Sequence, residues 1–445
     1  MTAPEAARAG ASAVLVAACA SGQGKTTVAA ALARLHVRSG ARVRAFKCGP
    51  DFLDPQWLAL ASGAPVDSLD LWINGPADCA ARLAAAAREA DLVIVEGVMG
   101  LYDGQPSAAD LAQRFGLPVL AVIDASAMAG TFGALVHGLQ TWQPGLPWAG
   151  VLANRVGSTR HAAMLRESLA PDAGWLGHLP RGDAFALPER HLGLTAAGEL
   201  PDALSRLDAA ADALAATPLG QRRLCDWPRW QPPEHRPKTP VARLLAGLRI
   251  AVARDAAFAF VYPANIEVLR MLGAQLEFFS PLAGDALPAC DALWLPGGYP
   301  ELHAGALAAR TGLRDQIAGH VRAGRPLWAE CGGMMALAET LVDGQGQAHR
   351  MWGLLPGTAV LGQRLAALGP HRLRFGDDEL RGHSFHWSRF ETDLAAIALT
   401  EPAHGSAAGA GEPVYQRGSV RASWFHPWFA SSPALAARLF SPGVW

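Results

Sequence analysis

The sequence predicts an α/β protein of two domains, each a parallel sheet covered by helices. Three observations predict it. Short apolar runs alternate with helix-like segments through both halves of the chain, a polar Pro-rich stretch interrupts them near the middle, and 445 residues that are 51% hydrophobic supply apolar material for more than one core. In the first half, residues 13–18, 43–46, 92–95, 118–123 and 149–152 read as buried strands, several of them ending at Gly or Asp. Strands covered on both faces read as continuous apolar runs, which makes the sheet mainly parallel. From residue 217 to 247 the chain turns polar and Pro-rich, and missing donors with fixed φ angles disfavour regular elements, so this stretch reads as the linker between domains 1–216 and 248–445. A second alternation follows: residues 248–253, 275–279, 292–295 and 326–329 as strands, with 263–272 as a helix. The loops after the strands differ between the halves, so there is no internal repeat.

Charge and composition exclude several classes. Lys+Arg 38 against Asp+Glu 39 gives a net charge of -1, with no bulk field to attract nucleic acid or an anionic membrane. The apolar runs fall far short of the roughly 20 residues that cross a bilayer. Glu5 and Arg8 precede a Gly-rich loop where a cleavable signal would need an apolar stretch. The expectation is a soluble, cytoplasmic protein. Six cysteines, at 19, 48, 79, 225, 290 and 331, show no paired spacing, so neither a disulfide framework nor a Cys-rich zinc site is indicated.

The strand 13–18 runs into Cys-Ala-Ser-Gly-Gln-Gly-Lys-Thr-Thr, residues 19–27, and then an Ala/Leu/Val helix. Backbone N–H groups and a helix N-terminus arranged in this way cradle phosphate oxygens. Gly22 and Gly24 let the backbone approach the anion, Lys25 reaches the outer phosphates, and Thr26 supplies a hydroxyl suited to Mg²⁺. Cys19 stands where the motif carries its first Gly, and an ordinary Gly-rich turn is the plain alternative. Its position between a buried strand and a helix favours the phosphate loop.

Two acidic clusters follow at strand ends, where doubly wound sheets line their ligand crevice. The first holds Lys47, Asp51 and Asp54, the second Glu96 and Asp103. Carboxylates there suit Mg²⁺ and a charged substrate, and Lys47 suits neutralising a transferring phosphoryl group. Taken singly, each acid could be a cap or a surface charge. Glu96 has the strongest case, because a carboxylate ending the run Leu-Val-Ile-Val is costly to bury without a partner.

In the second half, Pro-Leu-Trp-Ala-Glu-Cys-Gly-Gly, residues 326–333, reads as strand, sharp turn and helix with Cys331 at the turn. That geometry exposes a nucleophile at a helix N-terminus, where the dipole lowers a thiol pKa and backbone N–H groups form an oxyanion hole. Gly332 and Gly298, the latter in the Gly297-Gly298 pair, are its candidate members. The rival reading of Cys331 is a buried core cysteine. Among the histidines, His426 in its aromatic setting is the best base. His383 and His386 could form a metal pair, but with no third ligand apparent structural hydrogen bonding is favoured.

Seven segments, in order, resemble the cobyrinic or hydrogenobyrinic acid a,c-diamide synthases of cobalamin biosynthesis over essentially the whole chain. They are the phosphate loop from Ala20 to Thr27, Gly49 to Pro55, Val95 to Gly104, Asn154 to Ser158, Leu187 to Leu194, Pro296 to His303 and Ala329 to Met335. The resemblance implies a dethiobiotin-synthetase-like P-loop domain joined to a class I glutamine amidotransferase domain of the cobyric-synthase type. It implies that Cys331, with His426, releases ammonia from L-glutamine through a thioester. MgATP would phosphorylate a corrin carboxylate of cobyrinate or hydrogenobyrinate, and ammonia would capture the acyl phosphate. By motif it assigns Lys25, Thr26, Thr27, Lys47, Asp51, Asp54, Glu96 and Asp103 to nucleotide, metal and carboxylate activation and Asn154 to adenine contact, and the expected assembly is a homodimer. Three residues depart from the family pattern: Phe52 stands where Tyr is common, Cys19 replaces a loop Gly, as a non-Gly residue does in related enzymes, and Trp428 stands where triad amidotransferases carry Glu and this family usually has His. A third member of the Cys-His site is therefore not visible. The rivals are a cobyric acid synthase, disfavoured by the 187–194 segment and the compact length, and a P-loop switch ATPase, disfavoured because Ala20, Ser21 and Gln23 offer no second lysine and Cys331 would be unexplained.

Overall fold

The computed structural model describes residues 10–190, 193–235, 241–404 and 411–443. Glu5, Arg8, His191, Leu192 and residues 236–240 of the expected linker lie outside these described residues. The chain divides into two compact units, Met1–Pro237 and Lys238–Trp445.

The first unit is built on seven strands: β1 (Ser12–Ala18), β2 (Val43–Cys48), β3 (Asp67–Leu69), β4 (Leu92–Glu96), β5 (Val119–Asp124), β6 (Trp148–Val156) and β7 (Trp175–Pro180). They lie in the order β3-β2-β4-β1-β5-β6-β7, with every pair parallel. Successive side chains of β1 enter opposite layers: Ala13, Leu15 and Ala17 pack into one core, Val14 and Val16 into the other. Both faces are dry, which is why the strand reads as one apolar run. A charge placed at Val14 or Leu15, both 0% exposed, would lie in a layer with no polar partner and cost several kcal/mol. Helix α1 (Lys25–Arg38) buries Val28, Leu32 and their alanine neighbours against the sheet, and helix Ala203–Ala215 covers it through Leu207 and Leu214, fastened by an Arg34–Asp208 ion pair of 2.7 Å.

The expectation that regular structure stops at residue 217 is corrected. Thr217 accepts the Gly220 N–H and starts a one-turn helix, Pro218–Gln221, and a 3₁₀ turn spans Leu224–Asp226. Trp227 and Trp230 are buried, and the Trp230 indole donates to the Phe115 carbonyl at 2.8 Å. Two large aromatic surfaces hold this polar, Pro-rich text to the first unit, which pattern reading of prolines does not weigh. The three-residue edge strand β3 and the strand β7 also go beyond the sequence expectation.

The second unit has a seven-stranded sheet in the order Gln275–Phe279, Arg249–Ala253, Ala292–Leu295, Leu327–Glu330, Val420–Ser423, Pro413–Arg417, Ala396–Leu399. The first five strands are parallel and the last two join antiparallel. Two four-stranded sheets accompany it, one of them pairing Asp378–His386 with His426–Pro427. Alternation again splits the core, with Leu293 and Leu295 on one side and Ala292 and Trp294 on the other. Among the described residues, no helix is long and apolar enough to cross a membrane.

Candidate active sites

In the first unit the functional side chains stand at the carboxyl ends of β1, β2, β4, β5 and β6. Gly24 caps α1 with φ 94°, and a Cβ there would lie 2.2 Å from the Asn154 amide nitrogen, so only glycine fits. Lys25 arches over the loop and donates to the carbonyls of Ala20 (3.0 Å) and Met99 (2.6 Å). Burial, reinforced by the neighbouring Lys47 ammonium, lowers its pKa.

Behind the loop lies a buried ionic network. Lys47 Nζ donates to Asp54 Oδ2 at 2.5 Å, to Glu96 Oε1 at 3.0 Å and to the Gly97 carbonyl at 3.1 Å. Thr26 donates to the same Glu96 oxygen at 2.6 Å. Burial alone would depress Lys47, but Asp54 and Glu96 outweigh it and hold the ammonium well above its ordinary range. Burial pushes Glu96 upward against the pull of Lys47. Glu96 Oε2 is buried without a hydrogen-bond partner, so this carboxylate carries an acceptor facing no donor beside the Thr26 hydroxyl. A hard cation shared with phosphate oxygens and water, as Mg²⁺ prefers, fits that oxygen together with Thr26. No cluster of three or more His, Cys, Asp or Glu side chains suited to a metal occurs among the described residues.

The structure thus brings Lys25, Thr26, Lys47, Asp54 and Glu96 together. Asp51 is spent on a turn: its Oδ1 accepts the N–H groups of Leu53 (2.8 Å) and Asp54 (3.0 Å), which presents Asp54 to Lys47. Asp103 accepts the Gly100 N–H at 2.7 Å and braces the turn after β4. Asn154 donates to the Gln23 carbonyl at 2.9 Å, so its amide clamps the loop. Thr27 is half-buried in the first turn of α1. Sequence reasoning missed three further clamps. Gln23 accepts the Asp124 N–H at 2.8 Å, and Arg155, in a left-handed conformation with φ 56°, donates to both the Gly22 carbonyl (2.9 Å) and Asp124 (2.6 Å). Asp124 ends an apolar strand as Glu96 does, and that was the signal available for it.

In the second unit Cys331 joins strand Leu327–Glu330 to the short helix Gly332–Leu337 with φ 45° and ψ −106°, a strained conformation for a non-glycine residue. Its N–H donates to the Ser423 carbonyl at 2.8 Å, which ties the turn to the neighbouring strand three residues before His426. Added Cβ atoms show how tightly the glycines are packed. At Gly332 one would lie 2.8 Å from the Gly298 carbonyl oxygen and 2.9 Å from its nitrogen, and at Gly298 one would lie 2.2 Å from the Ala257 oxygen. The backbones of the two expected oxyanion residues therefore meet beside Cys331.

The thiol differs from expectation. Burial, followed by the negative charge of Glu301, pushes Cys331 well above its ordinary range, and the N–H of Gly332 offsets only part of this. A six-residue helix offers too little dipole to overcome full desolvation. Burial therefore favours the neutral thiol at Cys331.

His426 is 1% exposed and tightly confined. Its ring stacks on His383 at 5.0 Å, meets the edge of Phe260, and leaves room only for glycine at 297, where a Cβ would lie 2.4 Å from Cε1. Its Nδ1 lies 3.4 Å from Glu330 Oε2, an ion-pair distance, with both side chains buried. Glu330 Oε1 accepts the indole N–H groups of Trp294 (3.0 Å) and Trp328 (2.7 Å). Glu330 was missed. A Glu ending an apolar strand beside a Cys was visible, but the indole partners follow from the Trp294–Trp328 register across two strands. His383 and His386 do not converge: His383 bonds Tyr262 at 3.1 Å and His386 bonds Glu412 at 3.1 Å.

A phosphate loop above a buried Lys–carboxylate network in one unit and a cysteine turn in the other define a nucleotide-binding glutamine amidotransferase. Residues 14–194 match the CobQ/CobB/MinD/ParA nucleotide binding domain, and residues 249–434 match the CobB/CobQ-like glutamine amidotransferase domain. Among curated relatives, a hydrogenobyrinate a,c-diamide synthase of Pseudomonas aeruginosa is 54% identical over 430 residues, 97% of each chain. One of Stutzerimonas stutzeri is 55% identical over 431 residues, 97% of this chain and 98% of that one. A cobyrinate a,c-diamide synthase of Herminiimonas arsenicoxydans is 48% identical over 436 residues, 97% of each. The chain belongs to the family of hydrogenobyrinate and cobyrinate a,c-diamide synthases.

Proposed function

We propose that this protein amidates the a and c carboxylates of hydrogenobyrinate or cobyrinate, using ATP and ammonia drawn from L-glutamine. The observation that carries the reading is the pairing of identity above one half, over 97% of the chain, to hydrogenobyrinate a,c-diamide synthases with two sites equipped for the two halves of the reaction. In the first unit the loop N–H groups and Lys25 hold the triphosphate, with Thr27 beside them. Thr26 and Glu96 would hold Mg²⁺, which when bound screens phosphate charge. Lys47, fixed by Asp54 and Glu96, offsets the charge of the substrate carboxylate as its oxygen attacks the γ-phosphorus and ADP leaves. Ammonia then attacks the acyl carbon, and phosphate departs. Asp51 and Asp103 support these groups through turns, and Asn154 sets the loop beside the nucleotide.

In the second unit Cys331 Sγ attacks the glutamine carboxamide while His426 takes the thiol proton and passes it to the departing ammonia. Backbone N–H groups at Gly298 and Gly332 face the developing oxyanion, and water cleaves the thioester to release glutamate. The two most identical of the relatives above carry the metal-free substrate name, which favours hydrogenobyrinate. A cytoplasmic homodimer is the setting expected for this reaction. The test is mass spectrometry of the macrocycle after incubation with MgATP and glutamine. Two successive losses of about one dalton, as each OH becomes NH₂, are expected. Glutamine hydrolysis with neither macrocycle changed would refute the substrate assignment.

A further inference from the structure

His426 needs a defined tautomer to serve as base, because a neutral imidazole carries one N–H and one lone pair, and the group facing the first sets where the second points. Titratable side chains packed against it among the described residues include Glu330, from strand Leu327–Glu330, and His383, from strand Asp378–His386, with Tyr262 behind His383. Burial, and then the adjacent His426, hold His383 well below the ordinary imidazole range, so it adds no charge. Glu330 is different. Two indole N–H groups converge on Oε1, which fixes the carboxylate plane and turns Oε2 toward His426 Nδ1. Burial raises the pKa of the Glu330 carboxyl, opposed by His426 and the two indoles; as a carboxylate it is an acceptor-only group, and one buried this completely beside one imidazole nitrogen selects the proton for that nitrogen.

We propose that Glu330 is a positioning residue, the third member of the Cys331–His426 site, holding His426 in the Nδ1–H tautomer so that Nε2 presents its lone pair to the nucleophile. The inference rests on the reading of Cys331 and His426 as nucleophile and base. As the Sγ–C bond forms, Nε2 takes the thiol proton and the imidazolium forms against the Glu330 carboxylate. Nε2 then returns that proton to the nitrogen leaving as ammonia, while the Nδ1 proton stays in place. Glu330 precedes the nucleophile in the chain, so one strand end supplies both the attacking group and the anchor of its base.

The test is Glu330→Gln, which keeps an oxygen for the two indoles but turns an amide N–H₂ toward Nδ1. That favours the opposite tautomer and blocks Nε2 with a proton. Glutamine hydrolysis is expected to lose kcat by about 10³–10⁴-fold at neutral pH, the scale seen when a triad acid becomes an amide. KM should change little, and the residual rate should climb with pH as the thiol ionises unaided. Ammonia-dependent amidation should be unchanged. A kcat within about threefold of wild type, or a loss equal at every pH, would overturn the proposal. Nitrogen-15 NMR of histidine-labelled wild-type enzyme, assigned with His426→Gln, gives a second readout: the proton on Nδ1 is expected, and a proton on Nε2 would overturn it. Cys331→Ala separates the two levels. Its loss of glutamine hydrolysis upholds the nucleophile whatever Glu330→Gln does, whereas its retention would overturn both the nucleophile and the role of Glu330.

Discussion

The two sites place charge in opposite ways. In the nucleotide unit, one ammonium and two carboxylates are buried together at the ends of adjacent strands, so each ion is held by the others and the site is charged before any ligand arrives. In the amidotransferase unit burial favours the neutral thiol of Cys331, the proposed nucleophile, the Gly332 and Gly298 backbones pack together beside it, and the Glu330 carboxyl stands beside His426, the proposed base, accepting two indole N–H groups. Highly charged ATP and a carboxylate substrate call for fixed charges that stay put. A neutral carboxamide calls for a thiolate made only when it is used. Removing an ion should therefore damage the first site by unbalancing it, while crowding the backbone should damage the second.

In the nucleotide unit the largest effect is expected from Lys47→Met. It leaves Asp54 and Glu96 without their cation, and breaking a buried pair in this way costs about 3–5 kcal/mol. Denaturant unfolding should show that loss. Amidation from either nitrogen source should fall by about 10³-fold while glutamine hydrolysis by the other unit persists. Equal loss of all three activities would erase the contrast.

Gly332→Ala probes the other site. The added methyl meets the Gly298 backbone at 2.8 Å, so glutamine-dependent turnover is expected to fall by about 10²-fold, with ammonia-dependent turnover retained. Loss of both in parallel would mean that the glycine packing serves folding alone.

A third change sharpens the comparison through pH. Glu412 is buried, yet the His386 hydrogen bond and charge and the Ser384 hydroxyl outweigh that burial and hold it below the ordinary glutamate range. A depressed carboxylate stabilises the fold above its unfolded value and loses that contribution as pH falls through the folded one. The gap between wild type and Glu412→Gln in urea melts should be about 1.5–3 kcal/mol at pH 6 and close below pH 4.5. A gap that widens in acid would reverse the sign assigned here. The smallest effect is expected from Arg155→Ala. This half-exposed clamp on the phosphate loop should raise the KM for ATP by about fivefold with little change in kcat. An unchanged KM would show that Gln23 and Asn154 hold the loop without it.

The same contrast explains what could be read from sequence. Lys25, Thr26, Lys47, Asp54 and Glu96 each follow a strand signal, and a parallel sheet brings strand ends together, so their convergence was legible before any coordinate. Asp51 and Asp103 carried the same signal yet serve turns, because a short Asp side chain satisfies nearby N–H groups before it reaches a ligand. The strand–turn–helix placement of Cys331 was legible from its glycines. The protonation of the thiol was not, since burial depends on what packs around the turn. Glu330, Gln23 and Arg155 act through partners far along the chain, and a register or a crossing loop carries no local mark. The two tryptophans that hold residues 227 and 230 to the first unit escaped for the same reason.

The division of labour between the sites is tested most directly by Cys331→Ala, with the macrocycle product read by mass spectrometry under MgATP and either glutamine or free ammonia. Glutamine should support no amidation, and ammonia should support both steps at a rate within about twofold of wild type, because only the nitrogen source has been removed. Loss of the ammonia-dependent reaction as well, or retention of the glutamine-dependent one, would contradict the assignment.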